Sequence, residues 1–132
     1  MRVRRSSLGC MVLGLGLLAS TPSVIAHHSW NAQYDGSKPV EAKGVVTKVE
    51  WTNPHTHFYV DALDEKGATT TWNFEMASTL ALERGGFTRK TLPVGTRVTI
   101  SGFAGREVIT RAIANSIVTA EGKPLFIAVL GQ

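Results

Sequence analysis

Two neighbouring segments of this chain alternate apolar and polar side chains with the two-residue period of a β-strand. The apolar positions are Phe58, Val60 and Ala62 in residues 55–63, and Trp72 and Phe74 in residues 69–75. Between the segments, residues 64–67 read Asp-Glu-Lys-Gly, which predicts a hairpin turn. We therefore expect a hairpin with one face in a core and one polar face, with the polar faces of both strands side by side.

A further strand is predicted before this hairpin, in residues 40–51. Val45, Val49 and Trp51 share one face at the two-residue period, whereas Gly44 interrupts the phase of the preceding residues. A glycine inside a strand often marks a bulge at which a sheet bends. We therefore predict a bulge at Gly44 that curves the sheet.

The remaining segments predict the order of a small mainly β fold. Residues 78–84 form the only convincing helix, with Ser78 as N-cap and Gly85-Gly86 as its end. We next predict a fourth strand with Val98 and Ile100 inward, a bent fifth strand in residues 107–119 and an edge segment at 123–130.

Three strands, a helix and two strands is the order of the five-stranded OB-like barrel. A small β-sandwich is the alternative, but the single helix between strands 3 and 4 favours the barrel.

The first 26 residues have the three parts of a secretory signal. Arginines at positions 2, 4 and 5 precede an apolar run from Leu8 to Ala19, and the small residues Val24 and Ala26 precede a cleavage site before His27. The run is shorter than the roughly 20 apolar residues that span a bilayer. We therefore predict a signal peptide at 1–26, an extended arm at 27–39 and a barrel domain at 40–132, in a periplasmic or secreted protein without a stable membrane anchor.

Removing the leader changes the charge of the chain. Three of its 14 Lys and Arg residues lie there, which leaves 11 against 10 Asp and Glu in residues 27–132. No basic stripe remains to attract a nucleic-acid backbone, so we expect no nucleic-acid partner. The single cysteine, Cys10, also lies in the leader, so the mature domain must fold without disulfides.

The four histidines form two tight pairs, which indicate a transition-metal site. His55 and His57 lie two residues apart on a predicted strand, about 7 Å apart on one face. Cleavage before His27 would add its free amine and ring as a chelate for copper, with His28 beside it, and zinc is the other candidate. Cleavage one residue earlier would instead place His28 third in the chain. Glu75 and Asp61 are the nearest carboxylates by face. Each of these residues also has a structural interpretation as a solvated side chain.

A second candidate is a binding edge formed by Asn53, Pro54 and His55. Asn53 and Pro54 also suit a tight turn, which leaves His55 as the residue available to a ligand.

No acid orients His28 beside Ser29, and no nucleophile elbow surrounds that serine, so the pair is not a hydrolytic site. We do not expect an enzyme.

Several ordered motifs resemble the DUF6152 family of small exported bacterial proteins of unknown function. They are His27-His28-Ser29, Trp51-Thr52-Asn53-Pro54-His55, Trp72-Asn73-Phe74-Glu75, Arg84-Gly85-Gly86-Phe87-Thr88 and the strand from Gly95 to Gly102. The resemblance covers almost all of the mature chain and implies an exported single domain, with no activity to transfer. His57 departs from the family pattern, in which an apolar or aromatic residue is commoner, and this weakens a site that needs both His55 and His57.

Together these features predict an exported binding or accessory module that holds a transition metal through His27, His28 and His55. The alternative is a metal-free structural or interaction module that contacts an unknown envelope protein or a small ligand through the edge at Asn53, Pro54 and His55.

Overall fold

Six strands and two short helices make up the part of the chain that the computed structural model describes, residues 30–128. The helices are α1 (Trp30–Gln33) and α2 (Thr79–Arg84); the strands are β1 (Tyr34–Glu50), β2 (His57–Leu63), β3 (Thr69–Glu75), β4 (Arg97–Gly105), β5 (Arg111–Thr119) and β6 (Pro124–Ile127). Neither helix is long and apolar enough to cross a membrane. The predicted leader, together with His27 and His28, lies outside the described residues.

The strands form one sheet in the order β3-β2-β1-β4-β5-β6. Neighbours in this order are antiparallel, and an additional parallel pairing of β3 with β5 closes the sheet into a ring of strands. The mainly β prediction is confirmed, as is the succession of three strands, a helix and further strands. The ring brings the end of β3 beside the start of β5, and this junction positions the site described below.

The β2–β3 hairpin has the predicted two faces. Phe58 pairs with Phe74 and their rings stack at 5.5 Å inside the core, whereas Tyr59 pairs with Asn73 on the other face. In the turn, the Asp64 carboxylate accepts hydrogen bonds from the backbone N–H groups of Lys66 and Ala68. Gly67 has φ of 79°, which glycine adopts without strain.

The inward face of β1 differs from the prediction. Val45 is exposed and Val46 is fully buried, because the register shift lies between Val46 and Lys48 rather than at Gly44. Gly44 has another role: a Cβ there would lie 2.0 Å from the backbone oxygen of Asp61. Gly44 therefore permits the close approach of β1 and β2, and the bulge after Val46 returns Val49 to the core side.

The segment predicted as an extended arm belongs in part to the sheet. β1 begins at Tyr34, whose side chain is buried, and this end of β1 pairs with β4 through Tyr34 and Gly105. The polar residues that follow Tyr34 suggested a solvated arm, and residues 36–39 of β1 are exposed. The prediction for α2 is confirmed: the Ser78 side chain accepts a hydrogen bond from the Ala81 N–H and caps the helix.

Candidate functional site

Glu75 is a buried carboxylate on the polar side of the sheet. It is the last residue of β3, where it pairs with His57 of β2 on one side and with Ile113 of β5 on the other. Its exposed fraction is 3%. A buried carboxylate requires compensating hydrogen bonds and charges, since burial alone disfavours its ionised form.

Three side chains from distant parts of the chain supply that compensation. The Tyr34 hydroxyl donates a hydrogen bond to Glu75 Oε2, and Arg111 Nη2 donates to the same oxygen at 2.5 Å. Arg111 Nε also donates to the Tyr34 oxygen at 3.1 Å. On the other side, the His55 ring contacts Glu75 Oε1 through its Nδ1 atom. Both carboxylate oxygens are therefore engaged. We call Tyr34, His55, Glu75 and Arg111 the Glu75 cluster.

The cluster sets the protonation of its members. Burial acts to raise the pKa of Glu75, but the hydrogen bonds from Tyr34 and Arg111 and the electrostatic interactions with His55 and Arg111 outweigh it, so the pKa lies below its ordinary value. Burial, together with the hydrogen bond to Glu75, raises the pKa of Tyr34. The hydrogen bond to Glu75 raises the pKa of Arg111. At neutral pH Glu75 is therefore a carboxylate that accepts hydrogen bonds from the neutral phenol of Tyr34 and the guanidinium of Arg111.

His55 owes its position to the segment that leads into β2. The Thr56 N–H donates to the Ala77 carbonyl at 3.1 Å, and the Met76 N–H donates to the Thr56 carbonyl at 2.8 Å. Thr56 itself is buried, whereas His55 is exposed and His57 is half-buried. These backbone hydrogen bonds hold His55 directly beside the end of β3.

The remaining nitrogen of the His55 ring is available to a ligand. The side chain is 48% exposed, and within residues 30–128 Nε2 has no hydrogen-bond partner. A cavity of about 220 Å³ lies here, and its wall includes Trp30, Gln33, Tyr34, His55 and Glu75. The first described residue of the chain therefore lies at the same cavity as His55.

His57 has a different partner from His55. Its Nδ1 lies 3.0 Å from the Asn73 side-chain oxygen, and the ring is partly buried. Asn73 in turn donates to the Tyr59 hydroxyl at 3.5 Å, and that hydroxyl donates to Glu50 at 3.2 Å. His57 therefore belongs to a polar network that runs across β2 and β3 towards β1.

The other predicted site residues have partners of their own. Asp61 accepts a hydrogen bond from the Thr71 hydroxyl at 2.6 Å. The Asn53 side-chain oxygen accepts from the Thr79 N–H at 3.2 Å and from the Thr79 hydroxyl at 3.1 Å, which ties the loop to the start of α2. Pro54 is exposed and follows a cis peptide bond.

Sequence reasoning missed Tyr34 and Arg111. They lie 41 and 36 residues from Glu75 along the chain, so no spacing motif connects them. A tyrosine among polar residues and an arginine at the start of a strand carry little signal individually. Glu75 itself offered a signal, because it ends a strand with apolar residues. A carboxylate that is buried at such a position requires a cationic partner.

Within residues 30–128, no group of three or more His, Cys, Asp or Glu side chains is arranged to hold a metal ion. His55 and Glu75 form a pair, and His57 lies with Asn73. A metal site at His55 would therefore require ligands from another part of the chain, and His27 and His28 lie outside the described residues.

A family model matches residues 16–114, which is more than half of the chain. The chain belongs to DUF6152, a family of unknown function. This match confirms the family resemblance of the sequence motifs. Neither the curated proteins nor the solved structures contain a significant match.

Proposed function

We propose that this DUF6152 protein is an exported periplasmic binding or accessory module that holds a transition-metal ion, copper or zinc, through His27, His28 and His55. The observation that carries the proposal is the position of Trp30 in the wall of the His55 cavity. His27 lies three positions before Trp30 in the chain, a span of roughly 10 Å when fully extended. On this basis we propose that the amino terminus of the processed chain contacts the His55 ring.

The leader pattern supports the export step of this proposal. Cleavage after Ala26 would release the His27 amine, which together with the His27 ring is a chelating donor set for a transition metal. The proposal therefore depends on processing, because an uncleaved leader leaves no amine at His27.

We further propose that the ring of strands is an OB-like barrel. Support comes from its pairings: β1 pairs with both β2 and β4, β3 pairs with β5 in parallel, and α2 lies between β3 and β4. OB-fold proteins bind their ligands on the face of strands 2 and 3 and at the adjoining loops. Glu75 and Ile113, which pair at the β3–β5 junction, both line the His55 cavity.

Copper titration of the correctly processed protein tests the metal function. Mass spectrometry first verifies that the exported chain begins at His27. We expect His27→Ala and His55→Ala each to weaken Cu(II) binding by at least about tenfold, since even the loss of an outer partner of a ligand typically costs about 10–100-fold. His57→Ala is the matched control, because His57 contacts Asn73 rather than Glu75, and it should leave the affinity unchanged. Tight binding that survives both ligand substitutions would exclude this site.

The second candidate is a metal-free module that docks on an envelope protein through Asn53, Pro54 and His55. Two observations favour it: these residues are exposed, and the hydrogen bonds from Thr79 to Asn53 tie the loop to the start of α2. A folded, correctly processed protein that binds neither Cu(II) nor Zn(II) would support this function instead.

A further inference from the structure

A second cavity lies on the outer face of the sheet, where β4 and β5 meet the start of α1. Phe103 of β4 pairs directly with Ile113 of β5. Ala112 and Ala114, the neighbours of Ile113 in the strand, are buried in the core. Because successive side chains of a strand point to opposite faces, Phe103 and Ile113 lie on the outer face. The solvent-facing side of an antiparallel sheet is ordinarily polar, so this apolar pair requires an explanation.

Trp30 forms a wall of the cavity beside this pair. The centroid of its ring lies 6.1 Å from that of the Phe103 ring, with 32° between the two ring planes. A Cβ at Gly36 would lie 3.5 Å from the indole, so Trp30 also contacts β1. These contacts position the Trp30 side chain, which is still 43% exposed. Two aromatic side chains therefore line one cavity, and one of them retains a free surface.

The size of the cavity selects a small ligand. Its volume is about 160 Å³. A protein cavity of about 150 Å³ with apolar walls is large enough to bind benzene. Aromatic rings pack favourably on one another in offset or edge-to-face arrangements. The walls and the volume of this cavity therefore fit a single aromatic ring.

Asn115 brings an amide into the wall of the cavity. It is the extra residue of a β-bulge, because Ala114 and Ser116 pair with adjacent residues of β4. Bulges often re-aim a side chain next to a binding site. Within residues 30–128, the buried Oδ1 atom of Asn115 has no hydrogen-bond partner. An unpaired amide is unfavourable, and a ligand hydroxyl can both donate to an amide oxygen and accept from an amide N–H.

We propose that this cavity is a binding site for a neutral, single-ring aromatic compound with one hydroxyl group, of the phenol class. The ring lies against Trp30 and Phe103, and the hydroxyl forms a hydrogen bond with the Asn115 amide. No ionisable side chain is among the described walls, so a charged ligand would lose hydration without gaining an opposite charge. Of the described residues, neither His55 nor Glu75 lines this cavity, so the site is separate from the proposed metal function.

Nuclear magnetic resonance with phenol as the probe tests the site in the correctly processed protein. The chain has three tryptophans, whose indole N–H signals can be followed together in one ¹H–¹⁵N spectrum. Phenol should shift the signals of Trp30 and of the Asn115 side-chain amide, whereas those of Trp51 and Trp72, which pack against the core, should not move. We expect a dissociation constant of about 1 mM or lower, which is within the range of ligand efficiency for so small a compound.

Two further compounds test the chemical class of the ligand. Benzene lacks the hydroxyl and should bind about 2- to 10-fold more weakly than phenol, which corresponds to the loss of one hydrogen bond. Asn115→Leu should abolish this preference and leave benzene binding intact. Cyclohexanol keeps the hydroxyl without the flat ring and should also bind more weakly than phenol. Equal affinity of the wild-type protein for phenol and either compound would overturn the proposed ligand class.

A substitution that fills the cavity tests its location. Ala128 lines the cavity and follows β6, so the larger side chain of Ala128→Leu should occupy the space of the ring and weaken phenol binding by at least about tenfold. Ala120→Leu is the matched control, because this exposed alanine lines a different cavity, and it should leave the affinity unchanged.

Phenol binding that survives Ala128→Leu unchanged would overturn the site. The wild-type titration requires no variant, so the absence of a Trp30 shift at millimolar phenol would overturn it even if the variants do not fold. Either result would leave the copper titration of the His55 site unaffected, and a protein that binds no copper can still bind phenol here.

Discussion

His55 and His57 are two residues apart in the chain, yet their surroundings differ. His55 contacts a buried carboxylate that also binds a tyrosine and an arginine, whereas His57 contacts the neutral amide of Asn73. The first ring opens onto a cavity that also contacts the start of the described chain. The comparison teaches that the tertiary partner of a histidine, more than its position along the chain, decides the surroundings of its ring.

The two histidines also belong to networks of different kinds. The Glu75 cluster joins β1, β3, β5 and the segment before β2 around a buried carboxylate, while the network around Asn73 has hydrogen bonds of up to 3.5 Å and ends at Glu50, whose side chain is 35% exposed. Hydrogen bonds are electrostatically stronger in the protein interior than near water. Substitutions in the two networks should therefore have unequal effects.

The largest expected effect is that of Glu75→Ala. The substitution leaves the Tyr34 hydroxyl buried with a single partner and removes the acceptor of Arg111, but Arg111 is 41% exposed and regains hydration. We therefore expect a loss of about 3 kcal/mol in the free energy of unfolding, at the lower end of the roughly 3–5 kcal/mol for a fully buried pair. Urea denaturation measures it. Asn73→Ala is the control and should cost about 1 kcal/mol; equal costs would contradict the distinction between the two networks.

Tyr34→Phe should have the next largest effect. It keeps the buried ring but removes the hydrogen bond to the Glu75 carboxylate, and a hydrogen bond to a charged group contributes about 1.5–3 kcal/mol. Tyr59→Phe makes the same chemical change in the other network, where the tyrosine contacts Glu50 and Asn73 nearer the surface. Thermal and urea unfolding should show a smaller loss of stability for Tyr59→Phe than for Tyr34→Phe. The reverse order would contradict the greater contribution of the Glu75 cluster.

The smallest effect is expected in acid. The pKa of Glu75 is lower in the folded protein than its ordinary value of about 4.3, so the unfolded state takes up the proton first as the pH falls. The stability that the ionised group contributes is present above the unfolded pKa and is lost as the pH falls through the folded pKa. The difference in unfolding free energy between wild type and Glu75→Gln should therefore shrink below about pH 4.3. A difference that stays constant between pH 6 and pH 3 would show that the Glu75 charge contributes nothing.

The sequence predicted the hairpin well because its signal is local. The side-chain period of two placed Phe58, Val60 and Phe74 in the core and Tyr59 beside Asn73 on the other face, as the structure has them. The inward face of β1 could not be predicted in the same way. Its phase changes at the bulge after Val46, and the position of a bulge depends on the partner strand as much as on the strand itself.

The sequence by itself determined the family, the mainly β character, the alternation of the strands and the cap of α2, because each depends on neighbouring residues or on ordered motifs. It also selected His55 and Glu75 as candidates. Only the tertiary structure decided that His55 and Glu75 are partners and that Tyr34 and Arg111 complete the Glu75 cluster. It also decided that His57 has a different partner, Asn73. The reason is physical: burial and ion pairing depend on distances in space, and the closure of the ring at β3 and β5 sets those distances between residues far apart in the chain.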